Sequence, residues 1–162
     1  MVKIEEKKDS ITLRISSSIE LVSPLAEALD AFCLATTGSE SCAFEVQCAV
    51  VEAVNNIILH AYNKDTHNDI ILQCRKENSL LLIEIIDYGL SMSSLPIPSL
   101  PAFDAENGRG WWIIHSCVDN YFYKVIECIE RQRVYKPNEG SNYCEDISVK
   151  SHSNVLTLTK QF

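Results

Sequence analysis

The thirteen residues from Val50 to Tyr62 read VVEAVNNIILHAY. Nine are apolar, yet Glu52, Asn55, Asn56 and His60 sit among them. A helix turning about 100° per residue, followed from Phe44 to Asn63, brings Glu45, Glu52, Asn56, His60 and Asn63 into an arc of roughly 80°. Val46, Val50, Val51, Ala53, Val54, Ile57, Ile58, Ala61 and Tyr62 fill the opposite side. Asn55 lies about 60° off the stripe, at its edge. The polar arc is narrower than the wet half of a surface helix. The pattern predicts a helix from about Ser41 to Tyr62, enclosed on most sides, with one strip open to a cleft or simply to water.

The flanking sequence sets this helix in a domain. Upstream, DSITLRISSS alternates about Ile11, Leu13 and Ile15 and predicts a first strand. SIELVSPLAEALDAFCLATTG predicts a helix closing at Gly38, with Ser23 as cap and Pro24 in its first turn. Downstream, Asn63 to Asn68 is a polar turn. DIILQCRKENSLLLIEIIDYG predicts a hairpin: Ile70 to Lys76, a turn at Glu77, Asn78 and Ser79, then Leu80 to Ile86. The second of these strands is apolar at nearly every position, the pattern of a strand covered on both faces. Pro96, Pro98 and Pro101 bar regular structure from the loop Leu90 to Asn107. Such loops are lids or linkers. GRGWWIIHSCVDN predicts a third helix, and YFYKVIECIE and NVLTLTKQF two more strands. The polar segment 131–152 between them predicts a long hairpin arm or a partly ordered insert. The order gives an α+β fold for a single domain, 1–162: a two-layer sandwich with a mostly antiparallel sheet and helices on one face.

Composition narrows the function. The net charge is −8, which argues against direct nucleic-acid binding and leaves room for a basic protein partner. No apolar run reaches membrane-spanning length, and the charged start MVKIEEKKDS has no signal-peptide core. The expectation is a cytoplasmic protein without membrane contact. There are seven cysteines, an odd number, with no C-x-x-C pair. Cys33, Cys42, Cys48 and Cys117 lie in apolar helical stretches and read as reduced core thiols. The four histidines have no zinc-ligand spacing to a cysteine pair.

Two further motifs carry polar chemistry. IEIIDYG puts Asp87 and Gly89 at the end of an apolar strand, where an acid is costly unless it receives a donor. A nucleobase amino group is one such donor, and a plain strand-end turn is the ordinary alternative. In NGRGWW, Gly108 and Gly110 flank Arg109 at a helix start, for which a plain start capped by Asn107 with flexible glycines is the ordinary alternative. Free N–H groups and the helix dipole favour an anion there, and Arg109 adds a forked cation. Each motif alone is common; the ordered set is not.

That set resembles the Bergerat nucleotide-binding fold shared by gyrase, MutL and histidine kinases. More closely, VVEAVNNIILHAY is similar to the N box of the anti-sigma-factor serine/threonine-protein kinases of bacterial partner switching. DYGLSMS is similar to their first glycine box and GRGWWIIHSCVD to their second. The resemblance implies ATP with Mg²⁺, Glu52 as general base, Asn56 as magnesium ligand and Asp87 as the adenine-binding acid. It puts Gly89 beneath the ring and Gly108, Arg109 and Gly110 over the phosphates. It implies a protein-serine kinase acting as an anti-sigma factor, with a STAS-type anti-anti-sigma protein and/or a sigma factor as partner. A homodimer stays open, as does a non-catalytic ATP-binding switch module. A detached histidine-kinase domain fits less well, because no helix with a phosphoacceptor histidine is added to the domain. The chain departs from the family pattern at Ser91, in its short proline-rich lid, and in the length of segment 131–152.

Overall fold

The computed structural model describes residues 1–103, 108–138 and 141–162. Six strands form one sheet in the order β1-β2-β3-β4-β6-β5. They are β1 (Lys3–Lys7), β2 (Ser10–Ser16), β3 (Asp69–Glu77), β4 (Leu80–Asp87), β5 (Asn120–Asn138) and β6 (Ser141–Gln161). Every described pairing is antiparallel, so the α+β class holds and the sheet is simpler than "mostly" antiparallel. Helices α1 (Val22–Thr37), α2 (Glu40–Asn56) and α3 (Gly110–Cys117) complete the second layer.

Alternation along the strands decides which face the helices cover. Ile11, Leu13 and Ile15 of β2, Ile70, Leu72 and Cys74 of β3, and Leu81, Ile83 and Ile85 of β4 are buried with residues of all three helices in one cluster. Burying each such Leu or Ile contributes about 1.5–3 kcal/mol. The other side of β4 corrects the sequence reading. Leu80, Leu82, Glu84 and Ile86 are half-buried, flanked by the neighbouring strands, and among the described residues no second helix layer covers them.

The helix boundaries follow local chemistry. α1 ends at Gly38, whose φ of 70° is left-handed, and the Gly38 N–H closes on Leu34 O. Ser23 is not its cap. A 3₁₀ turn, Ile19–Leu21, runs straight into Val22 and leaves Pro24 in the first helical turn. α2 starts at Ser39, whose Oγ accepts from the Cys42 N–H at 3.2 Å. It does not run as α-helix to Tyr62. From Ile57 to Ala61 the backbone widens into a π turn, closed by the Tyr62 N–H on Ile57 O at 2.9 Å. Asn63 and Lys64 then take positive φ and turn the chain out.

α2 with its π turn, Glu40–Ala61, is 22 residues long with a mean hydropathy of 1.4 over its most apolar window. That is long and apolar enough to cross a membrane, contrary to the sequence reading. Half of the window is buried inside the fold, and Val46, Val50 and Val54 belong to its core. This apolarity therefore has a sufficient cause in domain packing. β1 was also not foreseen: KIEEK has no apolar alternation, and it forms only by pairing along β2 at the sheet edge.

β5 and β6 pair in one unbroken register from Asn120↔Thr159 to Asn138↔Ser141. β4 accompanies β6 only as far as Asp87↔Asn154. Beyond that point the two strands form a free arm, which leaves the sheet at the Asp87 end. All seven cysteines are free thiols, with Cys33, Cys42 and Cys74 buried.

Candidate functional site

A cavity of about 980 Å³ opens between α2, the end of β4, the segment after it and the start of α3. Its lining includes Glu52, Asn56, Asp87, Gly108, Arg109 and Gly110. Six of the seven residues singled out in the sequence thus meet in one space, although they come from three separate parts of the chain. Asn55 and His60 line it too, whereas Glu45, at the far end of the polar stripe, pairs with Lys160 of β6.

Gly89 is the exception, since it does not line the cavity. A Cβ on Gly89 would lie 2.5 Å from Ala61 O and 2.7 Å from Ala61 C. The adjacent Leu90 N–H donates to that same Ala61 oxygen at 2.9 Å. The glycine therefore lets the turn after β4 press against the π turn at the end of α2. That contact by itself demands glycine, without a ring lying against it.

Asp87 is only 5% exposed. Its Oδ1 accepts from the Gly89 N–H at 2.9 Å and from Asn154 Nδ2 at 2.9 Å. Burial pushes the carboxyl above its ordinary range, and the two donors offset part of that rise. Asn154 was missed in the sequence reading. It stands opposite Asp87 in the β4–β6 ladder, fully buried. It also donates to Gly89 O at 3.0 Å and accepts from Ser91 Oγ at 2.6 Å. The signal was present in SNVLTLTK: Asn154 shares the core-facing parity of Leu156 and Leu158, where an amide requires partners. His152, at the root of the arm, bonds Gly89 O through Nε2 at 2.6 Å.

Tyr62 ties the same corner to the sheet. Its hydroxyl donates to Asp69 O at 2.6 Å and accepts from the Tyr88 N–H at 2.8 Å. Burial pushes this phenol up to about 12, so it stays neutral as a structural pin.

The other end of the cavity is differently made. A Cβ on Gly110 would lie 3.0 Å from Glu52 Oε2 and 3.5 Å from Asn56 Nδ2, so α3 begins hard against the polar stripe. Asn55 Oδ1 and Asn56 Nδ2 are buried and have no hydrogen-bond partner among the described residues. Gly108 has φ 94°, a conformation that strains any residue with a Cβ. Arg109 Nη2 donates to Phe103 O at 3.0 Å and so holds the preceding loop. Within that loop Leu90, Ile97, Leu100 and Phe103 are exposed, and the Met92 N–H donates to Tyr123 OH at 3.0 Å. Helix α3 has Arg109 at its N-cap position, with no side-chain cap; Asn107, the cap of the alternative reading, lies outside the described residues, as does the last part of the loop read as a lid or linker. Among the described residues no three His, Cys, Asp or Glu side chains converge as a metal site.

The chain is similar to an Anti-sigma F factor of Oceanobacillus iheyensis, 26% identical over 92 residues. The match covers 54% of this chain and 62% of that protein, less than two thirds of its length. A model of the histidine kinase-like ATPase domain matches residues 15–128, more than half of the chain. The match takes in α2, β4 and the start of α3, and with them every residue that lines the cavity except Leu156 of β6. The chain belongs to the histidine kinase-like ATPase domain family.

Proposed function

We propose that this protein is an ATP-dependent protein-serine kinase that acts as a cytoplasmic anti-sigma factor. Its phosphoacceptor would be a small STAS-type anti-anti-sigma protein, with a sigma factor as the alternative partner. Family membership supports ATP binding, and the likeness to an Anti-sigma F factor supports the partner-switching role. The observation that carries the reading is the pair Glu52 and Asn56, one helical turn apart. Both face the cavity under Gly110, and Asp87 stands at its opposite end.

Asp87 would accept from the adenine amino group. Glu52 would take the proton of the attacking serine hydroxyl. Gly108 and Gly110 would offer backbone N–H groups to the phosphates, and Arg109 would exchange Phe103 O for a phosphate oxygen. Asn56 lines the cavity, and among the described residues its Nδ2 is buried without a partner; its Oδ1 would be the atom that serves as a ligand. One neutral amide with phosphates and waters suits Mg²⁺, which when bound neutralises charge on the transferring phosphoryl group.

Labelled phosphate transfer to a cognate acceptor, with wild type beside Glu52→Gln, tests the mechanism. Loss of transfer with ATP affinity retained supports it. Transfer at the wild-type rate would remove Glu52 from the chemistry. A second reading, a non-catalytic ATP-binding switch module, draws on the tight seat of Gly110 against Glu52 Oε2. That seat leaves little room for an acceptor hydroxyl unless α3 shifts.

A further inference from the structure

We infer that Asn154 is a positioning residue for base recognition: it fixes Asp87 so that only Oδ2 is offered to the cavity, and so selects a base edge that donates. The inference rests on the ATP-site reading above.

Asn154 has no capacity left for direct donation to a ligand. Both hydrogens of Nδ2 are used, one on Asp87 Oδ1 and one on Gly89 O. Its Oδ1 receives the Ser91 hydroxyl. Any influence on a nucleotide must therefore pass through Asp87 and the turn that follows it. Asp87 Oδ1 is doubly occupied, by Asn154 and by the Gly89 N–H. Among the described residues no donor reaches Oδ2, while Asp87 lines the cavity.

An ionised carboxylate oxygen can only accept. It matches the amino group of adenine and opposes the carbonyl at the same position of guanine. Without the Asn154 donor, burial would favour the protonated acid. A protonated Asp87 presents an O–H, which matches guanine as well as adenine. Asn154 thus acts on both the rotamer and the charge of the recognising group. The titratable neighbours of Asp87 are His152 on β6, Tyr62 after the π turn and Tyr88 beside it in sequence. His60 and Tyr123 line the same cavity. These groups are common to wild type and variants, so a difference between the proteins isolates Asn154.

The test uses the full chain as wild type, Asn154→Leu and Asn154→Thr. Leu keeps the size and removes the donor; Thr restores one hydroxyl donor. The ¹³C shift of the Asp87 carboxyl is followed against pH without nucleotide. Affinities for Mg·ATP and Mg·GTP are then measured by calorimetry across the same pH series. In Asn154→Leu the Asp87 inflection should move up by about one pH unit or more. ATP affinity at neutral pH should fall about tenfold, and the preference for ATP over GTP should shrink. Asn154→Thr should lie between, and it carries the comparison if the Leu variant does not fold. An unmoved Asp87 inflection with an unchanged ATP to GTP ratio overturns the inference. A wild type that binds neither nucleotide overturns the ATP reading itself, while the ligand-free titration still decides whether Asn154 governs Asp87.

Discussion

The two ends of the cavity differ in how much of their hydrogen bonding is already made. At the Asp87 end, Asp87, Asn154, Gly89, Ser91 and His152 are joined in one network, and Tyr62 separately pins the backbone of the adjacent Tyr88. At the Glu52 end, Asn55 and Asn56 have buried amide atoms with no partner among the described residues. An unmet buried polar group costs about 1–3 kcal/mol, and folding tolerates it where a ligand will later supply the partner. The contrast fits a rigid base-recognition end and a phosphate end completed on binding. The arm adds a second asymmetry: it leaves the sheet beside the finished end, and its root residue His152 is part of that network.

The largest expected effect lies at the unfinished end. Glu52→Gln keeps the shape and removes the base. Phosphate transfer to an acceptor serine should fall about 10²–10⁴-fold, with ATP affinity nearly unchanged. If affinity fell as far as transfer, Glu52 would belong to binding, and the division between the two ends would be lost.

Asp87→Asn acts at the finished end and should show the opposite split. ATP binding measured by calorimetry should weaken by about tenfold or more, and GTP binding should weaken less. Equal affinity for ATP in both proteins would remove Asp87 from base recognition.

Two glycines sharpen the comparison in stability. Gly89→Ala drives a Cβ into the Ala61 backbone at 2.5 Å, where nothing can swing away. Urea denaturation should show a loss of about 1–3 kcal/mol. Gly110→Ala meets the end of the Glu52 side chain at 3.0 Å, which can move, so stability should change by about 0.5 kcal/mol or less. Equal losses in the two variants would mean that the Glu52 end is as rigid as the Asp87 end.

The smallest effect concerns pH. Burial raises the Asp87 carboxyl in the folded state above its unfolded value, near 3.9 in order of magnitude. A raised acid destabilises the fold at pH above its folded value, where it is charged and buried. The penalty fades as pH falls through the folded value toward the unfolded one. Thermal melts should therefore find Asp87→Asn slightly more stable than wild type at neutral pH. The gap should close as the buffer becomes more acid than the folded value. A gap that widens with acid would reverse the sign of the shift.

The legibility of the sequence divides along the same line. α2, β4 and the start of α3 carry local patterns, and the Glu52 end is built from two of them. The Asp87 end depends on partners far apart in the chain. Asn154 reaches Asp87 across 67 residues, and strand periodicity marks it only as an odd amide in a core position. Gly89 was legible as a required glycine, but its cause was not, because the π turn that brings Ala61 against it has no signal in NNIILHAY. β1 failed for a related reason: its five exposed residues owe their conformation to backbone pairing with β2, and KIEEK has no buried face to betray it.

The most direct measurement is an NMR titration of the side-chain amides of Asn55, Asn56 and Asn154 in the full chain as Mg·ATP is added. The expected result is a large shift of the Asn55 and Asn56 NH₂ signals as their unmet groups gain partners. The Asn154 signal should barely move, since both of its hydrogens are already engaged. A titration in which Asn154 shifts and Asn56 does not would contradict the division of the cavity into a finished and an unfinished end.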